Sequence, residues 1–290
     1  MNDAEELYMA QKRHIIRVLL VTLFVIGGAR FDLYASPEHD NEDVPIAFSK
    51  VPSDTLTGNM YMKFNLDIHK RNVLLHAIPH LYSIAQGSRH HVGEAYGQYT
   101  LDRESGKYTF DEQLRIATIR RQRTVFRNAL AYLHPTIYNE EVFHGLILSP
   151  FNKRNKRLYR YETKEVGDLL YVKFRPRVLN SVLTSGTAII NQLNGKIIDV
   201  VFNGEYDQMK YNLNVIIDSV SDTPKKCFLH TDFNFFGNKI SSNLYASYNT
   251  PTTLPGIISD SNDPKLMAMV RPDSLTIHEK LAYGHVYKDP

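Results

Sequence analysis

The feature that most constrains this chain is a two-residue alternation of apolar and polar side chains between residues 159 and 248. Val172 and Phe174, for example, alternate with Lys173 and Arg175. Successive side chains of a β-strand point to opposite faces of a sheet, so this period predicts strands with one apolar face. Three turn signals separate the alternating segments: Gly167-Asp168, Asn194-Gly195 (a type I′ hairpin signal) and Gly237-Asn238. We therefore predict seven antiparallel strands joined as a meander.

The segment before this sheet has a different pattern. Apolar residues between positions 60 and 96 recur at three- and four-residue steps, which predicts helix with a kink or break at Pro79. Asp111 is placed to cap a second helix that runs to about Leu133 and ends at His134-Pro135. The predicted fold class is α+β, with N-terminal helices packed on an antiparallel sheet that native twist makes curved.

The N-terminus predicts export. Lys12, Arg13 and Arg17 precede a 12-residue apolar run at 18–29, and a polar stretch follows Ala35. A helix of that length extends about 18 Å, which is too short for about 30 Å of hydrocarbon. We predict a signal peptide that is cleaved after Ala35, with an uncleaved anchor as the alternative.

Five parts follow from these patterns. They are a signal peptide or N-terminal anchor (1–35), a linker (36–58), a mainly helical part (59–150), an antiparallel β half-barrel (151–250) and an irregular C-terminal segment (251–290). Within the last part, short helices are predicted near 263–270 and 276–283.

Composition excludes several classes of protein. Hydrophobic residues at 43% and charged residues at 22% are typical of a foldable soluble chain, which excludes wholesale disorder and a multi-span helical membrane protein. The single cysteine, Cys227, excludes an intramolecular disulfide framework and a Cys-based zinc finger, and its apolar strand position predicts a buried, inert thiol. The chain has no P-loop, nucleophile elbow or dinucleotide fingerprint. We predict no catalytic residue, no cofactor and no enzymatic activity.

Charge is unevenly distributed along the chain. The net charge is only +3, but residues 111–160 carry ten Lys or Arg against four Asp or Glu. The predicted basic surface consists of Arg120, Arg121, Arg123, Arg127, Lys153, Arg154 and Arg157. Such a cluster is either a solvated helix face or a surface that meets an anionic membrane or an acidic partner. Nucleic acid is not expected, because the overall excess is mild and the chain is exported.

Histidines supply weak candidates for a metal site. His76 and His80 are four residues apart, so a helix would place them on one face, and His69 lies seven residues before His76. The residues between the pair are Ala-Ile-Pro rather than the Glu-containing spacing of a zinc protease, so no general base is present. No metal is predicted.

Seven segments carry a resemblance to a known family: Val51-Pro52-Ser53-Asp54 with Gly58-Asn59-Met60-Tyr61-Met62, Ile147-Leu148-Ser149-Pro150-Phe151, Tyr159-Arg160-Tyr161, Phe174-Arg175-Pro176, Gly204-Glu205-Tyr206-Asp207, Phe236-Gly237-Asn238-Lys239-Ile240 and Arg271-Pro272-Asp273-Ser274-Leu275. Over residues 50–285 the chain resembles Bacteroidetes cell-envelope proteins that contain a domain of unknown function. The resemblance implies a LolA/LolB-like half-barrel, often followed by an outer-membrane β-barrel that is absent here. It also implies a periplasmic or outer-membrane-associated protein, and it supplies no active site.

Three hypotheses on function remain open. The first is a non-enzymatic envelope module that binds a lipid-like ligand or a hydrophobic polypeptide on the apolar sheet face. Its predicted lining residues are Val172, Phe174, Val200, Phe202, Val215 and Phe233. The second is a structural or interaction domain that positions an outer-membrane barrel or another partner. The third is an exported metal-dependent hydrolase that uses His69, His76 and His80.

Overall fold

A computed structural model describes twelve stretches of the chain: 54–77, 87–105, 107–119, 122–133, 137–143, 145, 147–206, 208–218, 223–250, 254, 258 and 260–287. The predicted signal peptide or anchor lies outside these stretches, as does the predicted linker up to residue 53. No helix in the part of the chain that the structure describes has the length and apolar character needed to cross a bilayer.

One antiparallel sheet dominates the fold. The strands are β1 (Thr55–Lys70), β2 (His90–Asp102), β3 (Lys107–Ala117), β4 (Glu141–Val142), β5 (Ile147–Leu148), β6 (Tyr159–Val166), β7 (Leu169–Pro176), β8 (Ser185–Asn191), β9 (Ile197–Tyr206), β10 (Met209–Ile217), β11 (Pro224–Phe235) and β12 (Asn238–Tyr248). Ten of them form a sheet in the order β3-β2-β1-β12-β11-β10-β9-β8-β7-β6, and β4 pairs with β5 separately. Strands β6 to β12 are therefore sequential neighbours, which confirms the predicted seven-strand meander.

Of the three predicted turns, Gly167-Asp168 is confirmed, whereas the turn predicted at Gly237-Asn238 lies one residue earlier, at Phe236-Gly237. Two residues connect β6 to β7, with Gly167 at a φ of 59°, and two residues connect β11 to β12, with Phe236 at 44° and Gly237 at 79°. In the β11–β12 turn both central residues have a positive φ, which is the type I′ geometry that matches strand twist. The Asn194-Gly195 signal is not a two-residue hairpin. It lies in a five-residue loop, in which the Gly195 amide donates to the Asn191 carbonyl at 2.8 Å.

The helix predicted between residues 60 and 96 is wrong, and the helix predicted from Asp111 exists only in its second half. Residues 59–150, predicted as mainly helical, contain β1, β2 and β3, and Asp111 lies in the middle of β3 rather than at a helix start. Both faces of β1 are buried, because Met60 and Met62 join one hydrophobic cluster while Tyr61 joins another. Because consecutive residues are buried, the alternation of apolar and polar residues is interrupted along β1. Its apolar residues also recur at steps of three and four residues, which is the spacing expected of a helix.

The helices are few and short. They are α1 (Leu74–Ala77), α2 (Gln122–Tyr132), α3 (Pro264–Val270) and α4 (Ile277–Gly284), with a 3₁₀ turn at Lys156–Leu158. Helix α2 ends just before His134-Pro135, as predicted, although it begins eleven residues after Asp111. The two short helices predicted near the C-terminus are confirmed as α3 and α4. Asp263 caps α3 through a hydrogen bond to the Lys265 amide.

Each face of the sheet has its own cover. We call the face that carries Val172, Phe202 and Leu229 the core face, and residues 122–158 the covering segment. Three ring contacts join this segment to the sheet: Phe126 on Phe64 at 5.2 Å, Phe151 on Phe174 at 5.3 Å and Phe143 on Tyr211 at 4.5 Å. On the opposite face, residues 260–287 form the C-terminal helical segment, which covers β1 to β3.

Candidate functional site

The six predicted lining residues lie together on the core face. Val172 and Phe174 are on β7, Val200 and Phe202 on β9, Val215 on β10, and Phe233 on β11. The first five are at most 1% exposed and belong to one hydrophobic cluster, while Phe233 is half-buried at its margin. Their role as ligand contacts stays a prediction. Their position as a continuous apolar surface is what the two-residue alternation indicated.

Cross-strand register gives this surface a shape that the sequence did not reveal. One line of paired positions crosses eight neighbouring strands and holds mostly small side chains: Val172, Ala188, Val200, Val215, Cys227, Ala246, Met62 and Ala95. We call it the small-residue row. At about 4.8 Å between strands the row is about 34 Å long. The next line of positions holds Phe174, Gly186, Phe202, Leu213 and Leu229, and it is bulkier except at Gly186, which the Phe174 ring covers. The row is therefore a shallow trough beside a ridge.

The centre of the row has no reactive group. Cys227 is fully buried, and burial raises the pKa of its thiol to about 12. Beside it, the Tyr108 hydroxyl donates to the Tyr248 hydroxyl at 3.2 Å, which donates to the Leu133 carbonyl at 3.0 Å. Burial raises the pKa of both tyrosines well above the usual value. These polar groups therefore stay neutral and hydrogen-bonded beneath the covering segment, and the predicted inert thiol is buried as expected.

Phe143 is a strained residue in the covering segment. Its φ is 55°, a left-handed conformation that costs a residue with a side chain about 1–2 kcal/mol. The ring is buried between Tyr132, at 5.0 Å, and Tyr211, on which it stacks at 4.5 Å. Packing of the three rings holds the backbone in this conformation. The cover therefore carries local strain at the point where it presses an aromatic ring onto the core face.

Hydrogen bonds attach the rest of the cover to the sheet. The Tyr159 hydroxyl donates to the Leu148 carbonyl, and the Tyr161 hydroxyl donates to the Pro150 carbonyl at 2.6 Å. Burial raises the pKa of both tyrosines, so these donors stay protonated at neutral pH. The Leu148 amide also donates to the Val182 carbonyl in the β7–β8 loop at 2.8 Å.

The opposite face has a groove that sequence reasoning missed. Its volume is about 280 Å³, and it is lined by Lys63, Asn212, Phe228, Leu229, His230, Asn243, Leu244, Tyr245 and Asp273. His230 Nδ1 lies 2.8 Å from Asn243 Oδ1, and the exposed Phe228 ring contacts the Tyr245 ring at 4.9 Å. The signal was present as asparagines at the polar positions of β10 and β12, but only register brings them together. Amides beside an aromatic ring suit a small neutral polar ligand.

A buried ion pair joins the C-terminal helical segment to the sheet. Glu94 on β2 is fully buried and accepts hydrogen bonds from Arg271 at 2.6 Å (Nε to Oε1) and 2.8 Å (Nη2 to Oε2). The Tyr61 hydroxyl also donates to Glu94. Burial, and then the charge of Glu94, raise the pKa of Tyr61 well above its usual value. The charges are satisfied within the fold, so this cluster is an anchor rather than a reactive site.

Glu279 forms a second anchor. It is buried on α4 and accepts from Lys63 and Asn65 of β1, each at 2.9 Å, and from the Thr276 amide at 2.8 Å. Thr276 and Glu279 form a capping box at the start of α4. Burial acts to raise the pKa of Glu279, but the donors from Asn65, Lys63 and Thr276 outweigh it and lower the pKa to about 2.

The predicted basic residues lie on the outside of the covering segment, as far as they are described. Arg123 and Arg127 on α2 are exposed, as are Lys153, Arg154 and Arg157 in the loop before β6. Arg154 pairs with Glu140 at 2.8 Å. Arg120 and Arg121 lie outside the described residues.

The histidine candidates are dispersed. His69 Nε2 lies 2.7 Å from Ser241 Oγ, and His76 is on α1. His80 lies outside the described residues. Among the residues that are described, no three His, Cys, Asp or Glu side chains are grouped so as to hold a metal ion.

Comparisons with known proteins add little to this geometry. No family model and no curated protein matches the chain. It is similar to a solved domain from Vibrio parahaemolyticus that is named for outer membrane lipoprotein sorting, with a TM-score of 0.23, 9% identity and coverage of 69% of this chain and 88% of that chain. It is also similar to a LolA superfamily protein from Nitrosomonas europaea, with a TM-score of 0.22, 10% identity and coverage of 72% and 91%.

TM-scores of 0.23 and 0.22 carry no conclusion about the fold or the function of this chain, so the proposal that follows rests on the geometry of the chain itself. The resemblance to Bacteroidetes envelope proteins stays a prediction from the seven sequence segments.

Proposed function

We propose that this chain is a non-enzymatic module of the bacterial cell envelope that holds one hydrophobic ligand between the core face and the covering segment. The observation that carries the proposal is an apolar face spanning a ten-stranded open sheet, which a single chain segment covers. Open sheets of this size curl, so the apolar groups on the concave face have to be covered by other apolar groups. In this structure the aromatic rings of the covering segment cover that face.

The shape of the core face supports an elongated apolar ligand. A well-packed core alternates large and small side chains so that facing layers interdigitate. The small-residue row instead aligns small side chains at one register position along eight strands, with Phe174 and Phe202 on the neighbouring line. An acyl chain or an extended apolar peptide fits such a trough once the covering segment lifts. Release of the strain at Phe143 lowers the cost of lifting it.

The location is part of the same proposal. The predicted signal peptide directs the chain out of the cytosol and into the periplasm. An apolar ligand that travels between the two membranes has to cross this aqueous compartment. A closed cover shields such a ligand from water in transit. The module is therefore periplasmic or associated with the outer membrane, with a lipid or an outer-membrane protein as its partner.

A substitution in the trough tests this proposal. We expect Val200→Phe to lower the affinity for a fluorescent fatty acid by about tenfold or more, because the new ring fills the middle of the row. Val201→Phe is the matched control, since Val201 lies on the same strand and faces the other side. Fluorescence titration of the full chain gives the affinity, and native mass spectrometry of protein purified from membranes checks for bound lipid. Circular dichroism and the melting temperature show whether both variants are folded.

Two results would reject it. One is a folded wild-type protein that takes up no fatty acid and carries no lipid after purification from membranes. The other is an equal affinity in folded Val200→Phe and Val201→Phe, which would mean that the ligand does not touch the row.

A structural or interaction role is the second candidate. The exposed cations on the outside of the covering segment favour it, because they are placed to meet an acidic partner. Charge reversal at Arg120, Arg121 and Arg123 then abolishes capture of the partner while fatty-acid uptake is kept. Unchanged capture in the folded variant rejects this role.

A further inference from the structure

We propose that one rim of the sheet docks onto an anionic lipid surface, with Phe236 and the residues around it entering the interface. The rim is the end of the sheet where β1 finishes at Lys70 and β12 begins at Asn238. We call it the docking rim. It is distinct from the predicted basic surface on the covering segment, and it goes beyond the proposed function.

Antiparallel order decides which connections share this rim. Successive connections of a meander alternate between the two ends of the sheet. The β11–β12, β9–β10 and β7–β8 connections therefore lie at the same end, together with the start of the chain that links β1 to β2. Residues that are far apart in sequence are brought to one edge in this way.

Large apolar side chains are exposed at the docking rim. In the β1–β2 connection Val73 is 77% exposed and Leu74 is also exposed, and Phe236 at the β11–β12 turn is 58% exposed. Asn72 Nδ2 donates to the Phe236 carbonyl at 2.6 Å, so the backbone segment that carries Val73 and Leu74 lies beside the β11–β12 turn. Further along the same rim, the β7–β8 loop exposes two more apolar residues, Val178 and Leu179. Contiguous exposed apolar patches mark interaction surfaces.

Phe236 is held outward against local backbone preference. It occupies the first central position of a type I′ turn, with a φ of 44°, where Asn or Gly is the favoured residue. Reciprocal hydrogen bonds brace the turn: the Asn72 amide donates to Asn238 Oδ1 at 2.7 Å, and Asn238 Nδ2 donates to Asn72 Oδ1 at 3.2 Å. Asn238 is fully buried. The Phe236 ring touches the Phe235 ring at 4.3 Å but stays more than half exposed. A partly exposed aromatic ring on a strained, braced turn is explained by a contact that uses it.

Four cations lie close in the chain to these apolar side chains, at the ends of β1 and β2 and at the start of β12. Lys70 and Lys239 are cross-strand partners, Arg71 donates to the Gly87 carbonyl at 3.2 Å, and the Arg89 carbonyl accepts from the amide of Ile68 at 2.7 Å. None of the four cations forms an ion pair with a carboxylate of a described residue. The carboxylates on these strands, Asp67 and Asp232, lie against His90 at 2.6 Å and His230 at 3.2 Å.

The opposite rim has a different character. Its β2–β3 and β6–β7 connections mix both signs of charge, with Asp102, Glu104 and Asp168 near Arg103 and Lys107. The only acidic side chain described near the β9–β10 connection of the docking rim is Glu205, further along the sheet from Phe236. Around Phe236 the docking rim thus combines exposed apolar side chains with cations that pair with no carboxylate of a described residue, and that combination fits an anionic lipid surface. Cations are attracted to lipid phosphates, while aromatic and aliphatic side chains enter the boundary between headgroups and acyl chains.

The test uses a substitution that removes the ring and relaxes the turn. We expect Phe236→Asn, which creates an Asn-Gly turn, to raise the melting temperature and to lower binding to vesicles of phosphatidylcholine with phosphatidylglycerol by about tenfold. Lys70→Gln with Lys239→Gln lowers binding to the same vesicles, and the wild-type chain binds pure phosphatidylcholine more weakly than the mixture. The control is Leu193→Asn, an apolar position on the opposite rim that is 80% exposed and therefore more exposed than Phe236. Flotation of the full chain with vesicles gives the bound fraction.

Three outcomes would overturn the proposal: unchanged vesicle binding in Phe236→Asn, an equal loss in Leu193→Asn, or equal binding to neutral and anionic vesicles. Fatty-acid uptake by Phe236→Asn is expected to match that of the wild-type chain, so failure of the docking rim is distinguishable from failure of the proposed function.

Discussion

Replacement of Arg271 by Ala is expected to lower the free energy of unfolding by about 3–5 kcal/mol. Arg271 is the cation that compensates the fully buried Glu94, through hydrogen bonds of 2.6 and 2.8 Å. Without it, the carboxylate is left without a compensating cation between β2 and the C-terminal helical segment, where the Tyr61 hydroxyl still donates to it. Chemical denaturation at neutral pH, followed by circular dichroism, measures the change.

Two further variants serve as comparisons for the loss of unfolding free energy in Arg271→Ala. Lys265→Ala removes an exposed cation from α3 of the same segment and is expected to change the unfolding free energy by less than about 0.5 kcal/mol. The double variant Glu94→Gln with Arg271→Met is expected to be more stable than Arg271→Ala, because it removes both charges. A loss in Arg271→Ala no larger than that in Lys265→Ala would contradict the assignment of Glu94 and Arg271 as the anchor.

Acid is expected to weaken the same segment through Glu279. Its pKa in the folded chain is about 2 and its usual value is 4.5. A carboxyl group whose pKa is lowered by folding stabilises the protein above its unfolded pKa and loses that contribution as the pH falls through its folded pKa. The contribution is about 3 kcal/mol at neutral pH and disappears between about pH 5 and pH 2.

Glu279→Gln isolates this contribution. At pH 7 the variant is expected to unfold about 3 kcal/mol more easily than the wild-type chain, and the difference is expected to shrink towards zero near pH 2. Glu165→Gln is the control, since Glu165 is an exposed carboxyl group on the edge strand β6. A difference that stays constant with pH would mean that the hydrogen bonds from Lys63, Asn65 and Thr276 do not lower the pKa of Glu279.

The sequence predicted the strands that have one face covered and missed those that have two. On β7 and β10, polar residues face solvent on one side, so the two-residue period is visible in the sequence. On β1 and β2 the C-terminal helical segment buries the second face, so Tyr61 and Val92 are as buried as Met62. Nothing local in the sequence indicates that a segment some 200 residues away covers these strands.

The sequence likewise predicted one of the candidate surfaces and missed the others. The alternation predicted which residues lie on the core face, since side-chain direction along a strand is a local property. The small-residue row, the groove beside His230 and the docking rim depend on register between strands. Residues such as Met62 and Ala246, or Asn72 and Phe236, are distant in the chain and become neighbours only through strand pairing. Their grouping therefore lies beyond what one sequence indicates.

The most direct measurement of the proposed function locks the covering segment shut. The Leu148 amide donates to the Val182 carbonyl at 2.8 Å, so the two backbones are close enough for a disulfide between Leu148→Cys and Val182→Cys. The native Cys227 is buried, and its raised pKa of about 12 keeps its thiol out of the exchange. Fluorescent fatty-acid uptake is expected to be lost in the oxidised double variant and restored by reduction. Equal uptake by the oxidised and reduced forms would contradict binding beneath the cover.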